Sequence, residues 1–265
     1  MSLINVSNLT FSYEGSYDNI FENVSFQIDT DWKLGFIGRN GRGKTTFLNL
    51  LLGKYAYSGN ISSTVKFEYF PYDVEDKSLY TIEVMKSICT ECMDWEIFRE
   101  ISLLDVQEDA LYRPFNTLSN GEQTKVLLAA LFLTASCFLL IDEPTNHLDI
   151  DARNVVQNYL KRKKGFILVS HDRSLLDQCV DHILSINKTN IENQKGNFTS
   201  WWKNKTLQDN FELAENKKLL KEIGRLSYAA KRSSNWSNKV EKSKYGTSNS
   251  GSKLDKGYVG HKAAK

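Results

Sequence analysis

The most constraining feature of the sequence is an eight-residue glycine-rich run of the form G-x-x-x-x-G-K-T, Gly38-Arg39-Asn40-Gly41-Arg42-Gly43-Lys44-Thr45. The apolar segment Leu34–Ile37 before it predicts a buried strand, and Thr46–Leu52 after it has helical character. A glycine turn between a strand and a helix lets successive backbone N–H groups point inward, and the helix N-terminus adds a partial positive charge. The run therefore predicts a phosphate-binding loop in an α/β domain.

The polar residues of this loop have specific expected roles. Lys44 is predicted to neutralise β- and γ-phosphate oxygens, and the Thr45 hydroxyl is predicted to ligate Mg²⁺. The alternative is a glycine turn without a ligand, which the flanking strand and helix disfavour. We therefore expect ATP with Mg²⁺ as the ligand, and the predicted nucleotide-binding residues are Gly38, Arg39, Asn40, Gly41, Arg42, Gly43, Lys44, Thr45 and Thr46.

Two carboxylates follow a second apolar segment. Phe138–Ile141 predicts a buried strand, and Asp142 and Glu143 come directly after it. Ligands of open α/β sheets bind at the carboxyl ends of the strands, so these acids are expected beside the phosphates. Asp142 is predicted to hold the Mg²⁺ shell, and Glu143 is predicted to act as general base for the attacking water. Many strands end in acids without a catalytic role, but the phosphate-binding loop favours this function.

The order of elements predicts the fold class. Strands alternate with helices, which indicates a largely parallel α/β core of the P-loop NTPase type with an antiparallel portion at the N-terminus. The predicted strands are Leu3–Val6, Leu9–Tyr13, Val24–Ile28, Leu34–Ile37, Val65–Phe70, Phe138–Ile141, Gly165–Val169 and His182–Ile186. Helical spacing is found within Ser78–Asp109, after Ser119, and over Asp151–Leu160 and Arg173–Cys179.

The character of the sequence changes at Trp202, which divides it into a predicted domain, 1–202, and an extension, 203–265. From about Asn204 to Lys244 there is no proline and one glycine, which predicts a long projecting helix rather than a frayed tail, and a Gly/Ser/Asn-rich loop follows at Tyr245–Ser252. The extension carries 15 Lys and Arg against 6 Asp and Glu, a balance of +9, whereas the preceding domain has a balance of −7. A basic extension on an acidic domain suggests a polyanionic partner.

The sequence also indicates the cellular location in which the protein is expected. No apolar run approaches the roughly 20 residues needed to cross a bilayer, and the first residues lack the basic and apolar regions of a secretory signal. The expected location is therefore the cytoplasm, with the four cysteines reduced. Cys89 and Cys92 form a C-x-x-C pair, but a zinc site needs further ligands. We expect both to lie on a helix as small apolar residues.

Three more segments, together with Tyr13, identify a resemblance. Leu118-Ser119-Asn120-Gly121-Glu122-Gln123 is similar to the LSGGQ signature of ATP-binding-cassette (ABC) proteins, Pro144–Asp149 resembles their D-loop, and Val169–Asp172 resembles their switch-histidine segment. The resemblance implies an ABC nucleotide-binding domain with an antiparallel β subdomain. It implies that Tyr13 stacks on adenine, that His171 contacts the γ-phosphate, and that Lys44, Glu143 and His171 are the catalytic residues. It also implies that one domain's signature serves the nucleotide of another, so Ser119, Asn120, Gly121, Glu122 and Gln123 would act on a partner domain.

One position departs from the family pattern. The family usually has glutamine after the strand that corresponds to Val65–Phe70, where it contacts the metal and the water. This sequence has Phe70-Pro71-Tyr72-Asp73, so Tyr72 or its neighbour takes that place. The departure puts the rate of ATP hydrolysis in doubt, but not nucleotide binding.

Two segments resemble the ABC-F subfamily: Asn146-His147-Leu148-Asp149, and Gly196-Asn197-Phe198-Thr199 before the extension. ABC-F proteins join two ABC domains by a helical linker, work on the ribosome and have no membrane domain. The sequence of the extension is most similar to the linker of the antibiotic-resistance group of the Lsa/Vga type, whose linker tip enters the ribosome. The resemblance implies that the chain is an N-terminal half, truncated within a C-terminal helical linker. Ribosomal RNA is the implied partner, with candidate stacking residues Tyr228, Trp236, Tyr245 and Tyr258.

The function is therefore predicted to be an ABC-F ribosomal protection ATPase that confers resistance to ribosome-targeting antibiotics. It would need a second ABC domain, from a missing C-terminal half or from a homodimer, for brisk hydrolysis. Two alternatives stay open: an ATPase subunit of an ABC membrane transporter, and a non-catalytic regulatory fragment that binds nucleotide and partner only.

Overall fold

The computed structural model describes residues 2–146, 148–187 and 190–245, and the chain divides into two units, 1–202 and 203–265. In the described part of the first unit, the larger sheet has six strands in the order β5-β6-β7-β3-β8-β9. The strands are β3 (Lys33–Ile37), β5 (Lys66–Phe70), β6 (Cys137–Asp142), β7 (Phe166–Val169), β8 (His182–Asn187) and β9 (Asn190–Lys195). Neighbouring strands are parallel except for the β8–β9 pair.

A smaller antiparallel sheet of three strands, in the order β2-β1-β4, forms the N-terminal portion of the described chain. Its strands are β1 (Leu3–Phe11), β2 (Phe21–Asp29) and β4 (Ser58–Ser62). β1 buries the side chains of Ile4, Val6, Leu9 and Phe11, with a register shift between Val6 and Leu9. One face of this sheet is therefore apolar and packs inward, as expected for an antiparallel sheet with one exposed face.

Helices lie between the strands along the chain, and one long helix follows the last strand. They are α1 (Lys44–Leu51), α2 (Thr81–Ile88), α3 (Asp94–Leu103), α4 (Asn120–Leu133), α5 (Ile150–Arg162), α6 (Arg173–Cys179) and α7 (Phe198–Tyr245). Short 3-10 turns occupy Glu108–Tyr112 and Phe115–Thr117. α7 begins in the first unit and continues into the second, where its described side chains are almost all exposed.

Strand β6 shows how the sheet separates two apolar cores. Successive side chains of a strand point to opposite faces. Phe138 and Leu140 join a core with the small antiparallel sheet and α1, whereas Leu139 and Ile141 join a core with α2 to α6. Because β6 is buried on both faces, its sequence is a continuous apolar run rather than an alternating one. Asp142 is the last residue of this buried strand and lies at its carboxyl end.

The predicted α/β fold with an antiparallel N-terminal portion is confirmed, with corrections in detail. Leu3–Val6 and the Leu9–Phe11 part of the second predicted strand form one continuous strand, β1, whose register shift keeps both apolar runs facing inward; Tyr13 lies beyond its end. The edge strands β4 and β9 were not predicted, because most of their side chains are exposed and polar. The long helix begins at Phe198, earlier than Asn204. The Gly/Ser/Asn-rich loop after Tyr245 lies outside the described residues.

The prediction that Cys89 and Cys92 lie on a helix was wrong. Cys89 directly follows the last residue of α2, and Cys92 lies in the turn before α3. The Cys92 thiol donates to the Cys89 carbonyl at 2.9 Å. Burial raises the pKa of the Cys89 thiol to about 12. All four cysteines are free thiols. Among the described helices, none combines the length and apolar character that a membrane span requires.

Candidate functional site

The glycine-rich loop lies between β3 and α1, as its sequence predicts. Gly41 and Gly43 have φ of +74° and +94°, in the left-handed region that favours glycine. A Cβ atom on Gly43 would lie 2.5 Å from Cγ2 of Ile20 and 3.1 Å from Cζ of Phe21. Gly43 therefore has no room for a side chain, and the loop backbone stays exposed at the N-terminus of α1, where it can approach an anion.

Lys44 points back across the loop. Its Nζ donates to the Gly38 carbonyl at 2.8 Å and lies 3.4 Å from the Arg39 carbonyl. Burial lowers the pKa of Lys44, and the nearby carboxylates of Glu143 and Asp142 act in the opposite direction. The ammonium group is thus held within the curve of the loop by neutral carbonyls, which phosphate oxygens of a ligand can replace as stronger, charged acceptors.

The Asp142 carboxylate receives two hydroxyl donors on one oxygen. Thr45 Oγ1 donates to its Oδ2 at 3.0 Å, and the Tyr69 hydroxyl donates to the same atom at 3.2 Å. A carboxylate and a threonine hydroxyl are hard oxygen donors of the kind that Mg²⁺ prefers. The contact between Thr45 and Asp142 brings the two predicted metal ligands together across 97 residues of sequence, so the residues present fit a magnesium ion.

Glu143 is half-buried next to His171. Its Oε2 accepts the His171 backbone N–H at 3.4 Å, and its Oε1 lies 3.5 Å from His171 Nε2. In the described part of the chain that buried Oε1 has no hydrogen-bond partner. Burial raises the pKa of Glu143, and its φ is +50°, in the left-handed region. A buried carboxylate oxygen without a partner at a strained backbone position is typical of a functional group that awaits a ligand or water.

These residues surround one cavity of about 460 Å³. The cavity is lined by Tyr13, Ile20, Asn40, Gly41, Gly43, Lys44, Thr45, Thr46, Asp142, Glu143, Val169 and His171. Gly38, Arg39 and Arg42 belong to the same loop but do not line the cavity; Arg42 N–H donates to the Arg39 carbonyl at 3.2 Å. The cavity therefore brings together the predicted phosphate, metal and catalytic residues from three separate parts of the chain: the glycine-rich loop, the end of β6 and the segment after β7.

Tyr13 lies at the open side of this cavity. Its hydroxyl shares a hydrogen bond of 2.7 Å with the Thr46 hydroxyl, and its ring packs edge-on against Phe11 and Tyr55. The side chain is 42% exposed. A half-exposed ring anchored at its hydroxyl end offers a surface on which a flat base can stack.

The signature segment lies elsewhere. Ser119 caps the N-terminus of α4: its Oγ accepts the Glu122 N–H at 3.2 Å, and Glu122 Oε2 accepts the Ser119 N–H at 2.8 Å. Gln123 Nε2 donates to the Leu118 and Phe115 carbonyls. Ser119, Asn120, Gly121, Glu122 and Gln123 are not among the residues that line the cavity. The described structure thus does not bring the signature to the nucleotide site of its own domain.

Sequence reasoning missed Tyr69 and named Tyr72 or its neighbour for the position after β5. Tyr72, in the place where the resembling family has glutamine, is partly buried against the apolar core with α2 to α6. Tyr69, one residue before the end of β5, contacts Asp142, the predicted metal ligand, instead. The signal that could have revealed it is the pairing of β5 with β6, which places Tyr69 beside Leu140, two residues before Asp142. Ile20, which lines the cavity, and Tyr55, which packs against Tyr13, were also missed, because no local pattern links either residue to the glycine-rich loop.

The described part of the extension has polar contacts within its own helix and exposed aromatic side chains. Within 203–245, α7 carries an ion pair between Lys205 and Asp209 at 3.3 Å and a hydrogen bond from Gln208 to Glu212 at 3.1 Å. Tyr228 and Trp236, two of the predicted stacking residues, are exposed. The side chain of Tyr245 and the whole of Tyr258 lie outside the described part of the chain.

The first unit has an α/β fold, and its glycine-rich loop and cavity are typical of P-loop nucleotide-binding domains. A family model described as "ABC transporter" matches residues 21–146. A chain of a metal-chelate-type ABC transporter, solved in an inward-facing conformation, has a similar fold, with a TM-score of 0.62 and 20% identity over 74% of this chain and 84% of that chain. The first unit therefore has the fold of an ABC ATPase domain.

Individual relatives indicate which group of ABC proteins the chain is most similar to. The ribosome protection protein VmlR of Bacillus subtilis is 31% identical over 72% of this chain and 35% of its own length. The ATP-binding protein YdiF of the same species is 30% identical over 78% and 33%, and ABC transporter F family member 5 of Arabidopsis thaliana is 27% identical over 74% and 29%. The chain thus has ABC-F relatives and spans about a third of their length.

Proposed function

We propose that this chain is an ABC-F-type protein that binds and hydrolyses ATP and protects the ribosome from antibiotics. The observation that carries the nucleotide part is the cavity in which the loop at 38–45, the Asp142–Glu143 pair and His171 converge. Support for the ribosomal part comes from the basic extension and from the similarity to a relative named as a ribosome protection protein. The cytoplasm is the location consistent with this role.

In this proposal each residue of the cavity has one task. The backbone between Gly38 and Thr46 and the Lys44 ammonium hold the phosphates, Tyr13 stacks on the base, and Thr45 and Asp142 hold Mg²⁺. When bound, Mg²⁺ stabilises the negative charge that develops on the phosphate oxygens. Glu143 accepts a proton from the attacking water, and its raised pKa makes it a better base than an exposed glutamate. His171, beside Glu143, contacts the γ-phosphate.

The proposal includes a partner domain. Because Ser119 and Gln123 do not line the cavity of their own domain, they are available to a nucleotide held by a second ABC domain, in the same polypeptide or in a second copy. The chain alone is then expected to bind ATP but to hydrolyse it slowly. The basic helix is proposed to contact ribosomal RNA, through lysines on phosphates and through Tyr228 and Trp236 on bases.

A second candidate function is an ATPase subunit of an ABC membrane transporter. The family model and the solved structure that match this chain both carry transporter descriptions, and that observation favours it. The 48-residue helix α7 argues against this function, because its basic part beyond the domain is mostly exposed.

The test is co-sedimentation with ribosomes, with and without ATP, together with nucleotide binding by calorimetry. We expect the parent chain to bind Mg-ATP and the Lys44→Ala variant to bind it at least tenfold more weakly, since hydrogen bonds to charged groups contribute about 1.5–3 kcal/mol. Glu143→Gln in a chain completed with a second ABC domain is expected to accumulate on ribosomes with ATP. Nucleotide binding without any ribosome association would favour the transporter role, and no nucleotide binding by the parent would refute both.

A further inference from the structure

Tyr69 reaches the predicted metal site from a neighbouring strand. β5 and β6 run parallel, with Tyr69 beside Leu140 and Phe70 beside Ile141. From there the Tyr69 hydroxyl donates to Asp142 Oδ2 at 3.2 Å, across 73 residues of sequence. The contact therefore depends on the pairing of two strands, and the Tyr69 ring is held by the edge of the sheet.

The surroundings of Tyr69 keep its hydroxyl a donor. The side chain is half-buried, and Lys54 Nζ lies 5.5 Å from the centre of the ring. Burial raises the pKa of Tyr69 well above its ordinary value, and the charge of Asp142 acts in the same direction. Because the carboxylate oxygen of Asp142 can only accept, the Tyr69 hydroxyl is the donor in this contact.

Thr45 and Tyr69 share Asp142 but differ in what else they can do. The Thr45 hydroxyl, 3.0 Å from Asp142 Oδ2, is itself a predicted metal ligand, so its bond to Asp142 can be exchanged for a bond to the ion. Tyr69 comes from β5, the strand beside β6, and has no predicted role toward the ion or the nucleotide. Its hydrogen bond can therefore persist and restrict the rotation of the carboxylate.

We propose that Tyr69 is a positioning residue, whose hydroxyl holds the Asp142 carboxylate in one orientation and so sets the affinity of the nucleotide site for Mg²⁺. This inference rests on the proposed nucleotide-binding function. Hydrogen-bond partners that orient a metal ligand commonly change metal affinity by 10–100-fold when they are removed. Tyr69 lies three positions before Tyr72. Tyr72 takes the place of the glutamine of the resembling family and packs against apolar side chains.

The experiment compares Tyr69→Phe with Tyr72→Phe in the 265-residue chain. Both variants lose one phenolic hydroxyl and keep the ring, and the unfolding midpoint without ligand verifies that each is folded. The affinity for ATP is measured by calorimetry in excess EDTA, and the Mg²⁺ concentration at half-maximal stimulation of binding is then titrated. For Tyr69→Phe we expect an unchanged metal-free affinity and a half-maximal Mg²⁺ concentration at least tenfold higher. Tyr72→Phe should match the parent in both.

The outcomes separate the two proposals. A parent chain that binds no ATP refutes the proposed function itself. If the parent binds ATP but Tyr69→Phe needs no more Mg²⁺ than the parent, the positioning role is wrong. The role is also wrong if Tyr69→Phe weakens ATP equally with EDTA and with Mg²⁺, because that loss would be damage to the phosphate loop, or if Tyr72→Phe alone shifts the Mg²⁺ requirement.

Discussion

The domain, 1–202, and the helical extension, 203–245, use their apolar residues in opposite ways. In the domain, large apolar side chains such as Phe36, Phe47 and Phe166 are fully buried between sheets and helices. In the extension, comparable side chains such as Leu220 and Phe211 are more than half exposed. The domain is therefore stabilised by burial of apolar surface, whereas the extension, within its described residues, depends on helix propensity and on pairs such as Lys205–Asp209.

The charge difference follows the same division. Residues 1–202 have a charge balance of −7 and residues 203–265 one of +9; within 203–245 the balance is +6, from 11 Lys and Arg against 5 Asp and Glu. Long exposed Lys and Arg side chains tolerate this concentration of charge because water solvates them, and the helix keeps them apart. The comparison shows that the two regions are stabilised differently: the domain by apolar packing in its cores, and the described extension by local helical interactions. The four predictions below test this division by matched substitutions.

The largest expected effect is the truncation of a core phenylalanine. Phe166→Ala on β7 removes a fully buried ring that packs against Phe132. It should lower the free energy of unfolding by about 3–5 kcal/mol, because it removes buried apolar surface and leaves a cavity. The same truncation in the extension, Phe211→Ala, should change it by less than about 0.5 kcal/mol. Urea unfolding of both variants measures the difference; equal losses would mean that the exposed face of α7 is packed.

The second prediction concerns the buried carboxylate of Glu100, which accepts the Tyr159 hydroxyl at 2.6 Å and the Lys163 ammonium at 2.5 Å. Burial alone would raise the pKa of Glu100, but the hydrogen bonds from Lys163 and Tyr159 outweigh it, and the net pKa is lowered. Glu100→Gln should cost about 3 kcal/mol of unfolding free energy at pH 7.

The pH dependence of this loss has a definite sign. Because the pKa of Glu100 is lower in the folded state, its stabilising contribution is present above the ordinary glutamate pKa and is lost as the pH falls below it. The stability difference between the parent and Glu100→Gln should therefore shrink on acidification, as measured by urea unfolding between pH 7 and pH 3. The exposed Glu215→Gln in the extension serves as control, and a difference that grows on acidification would contradict the ionised pair.

The third prediction uses one substitution with opposite signs in the two regions. A Cβ atom on Gly35 in β3 would meet side-chain atoms of Ile183, Leu176 and Val180 at 3.0–3.2 Å, so Gly35→Ala should overpack the core and cost about 1–3 kcal/mol. Gly224 has nothing within 4 Å of the same position. Gly224→Ala should stabilise the local helix by about 1 kcal/mol. Hydrogen exchange of the amides around residue 224 measures this gain, and no slowing there would show that the helix has another source of stability.

The smallest expected effect lies where α7 begins. The Arg173 guanidinium lies 5.8 Å from the ring centre of Phe198 and 5.5 Å from that of Trp202. Arg173→Ala should therefore loosen the first turn of α7 by about 0.5–1 kcal/mol. Faster hydrogen exchange at residues 199–202 would verify it, with the Arg225→Ala variant of the extension as control. Identical exchange in both variants would show that the stacking contributes nothing.

Much of the domain could be predicted because its signals are local. The strand Phe138–Ile141 is a continuous apolar run that ends in two acids, and β6 occupies Cys137–Asp142. Helix α6 was predicted over the residues that it occupies. The edge strands β4 and β9 could not be predicted, since an edge strand has few buried side chains and its backbone partners lie far away in sequence.

The sequence by itself determined the phosphate loop, the order of the acids and His171, and the change of character at Trp202, because glycine turns, strand ends and helical spacing depend on neighbouring residues. Only the tertiary structure decided that Tyr69, rather than Tyr72, contacts Asp142, that Glu143 Oε1 is buried without a hydrogen-bond partner among the described residues, and that Glu100 pairs with Lys163. These contacts join segments that the chain brings together through strand pairing and core packing, and no local pattern records which distant partner a side chain will meet.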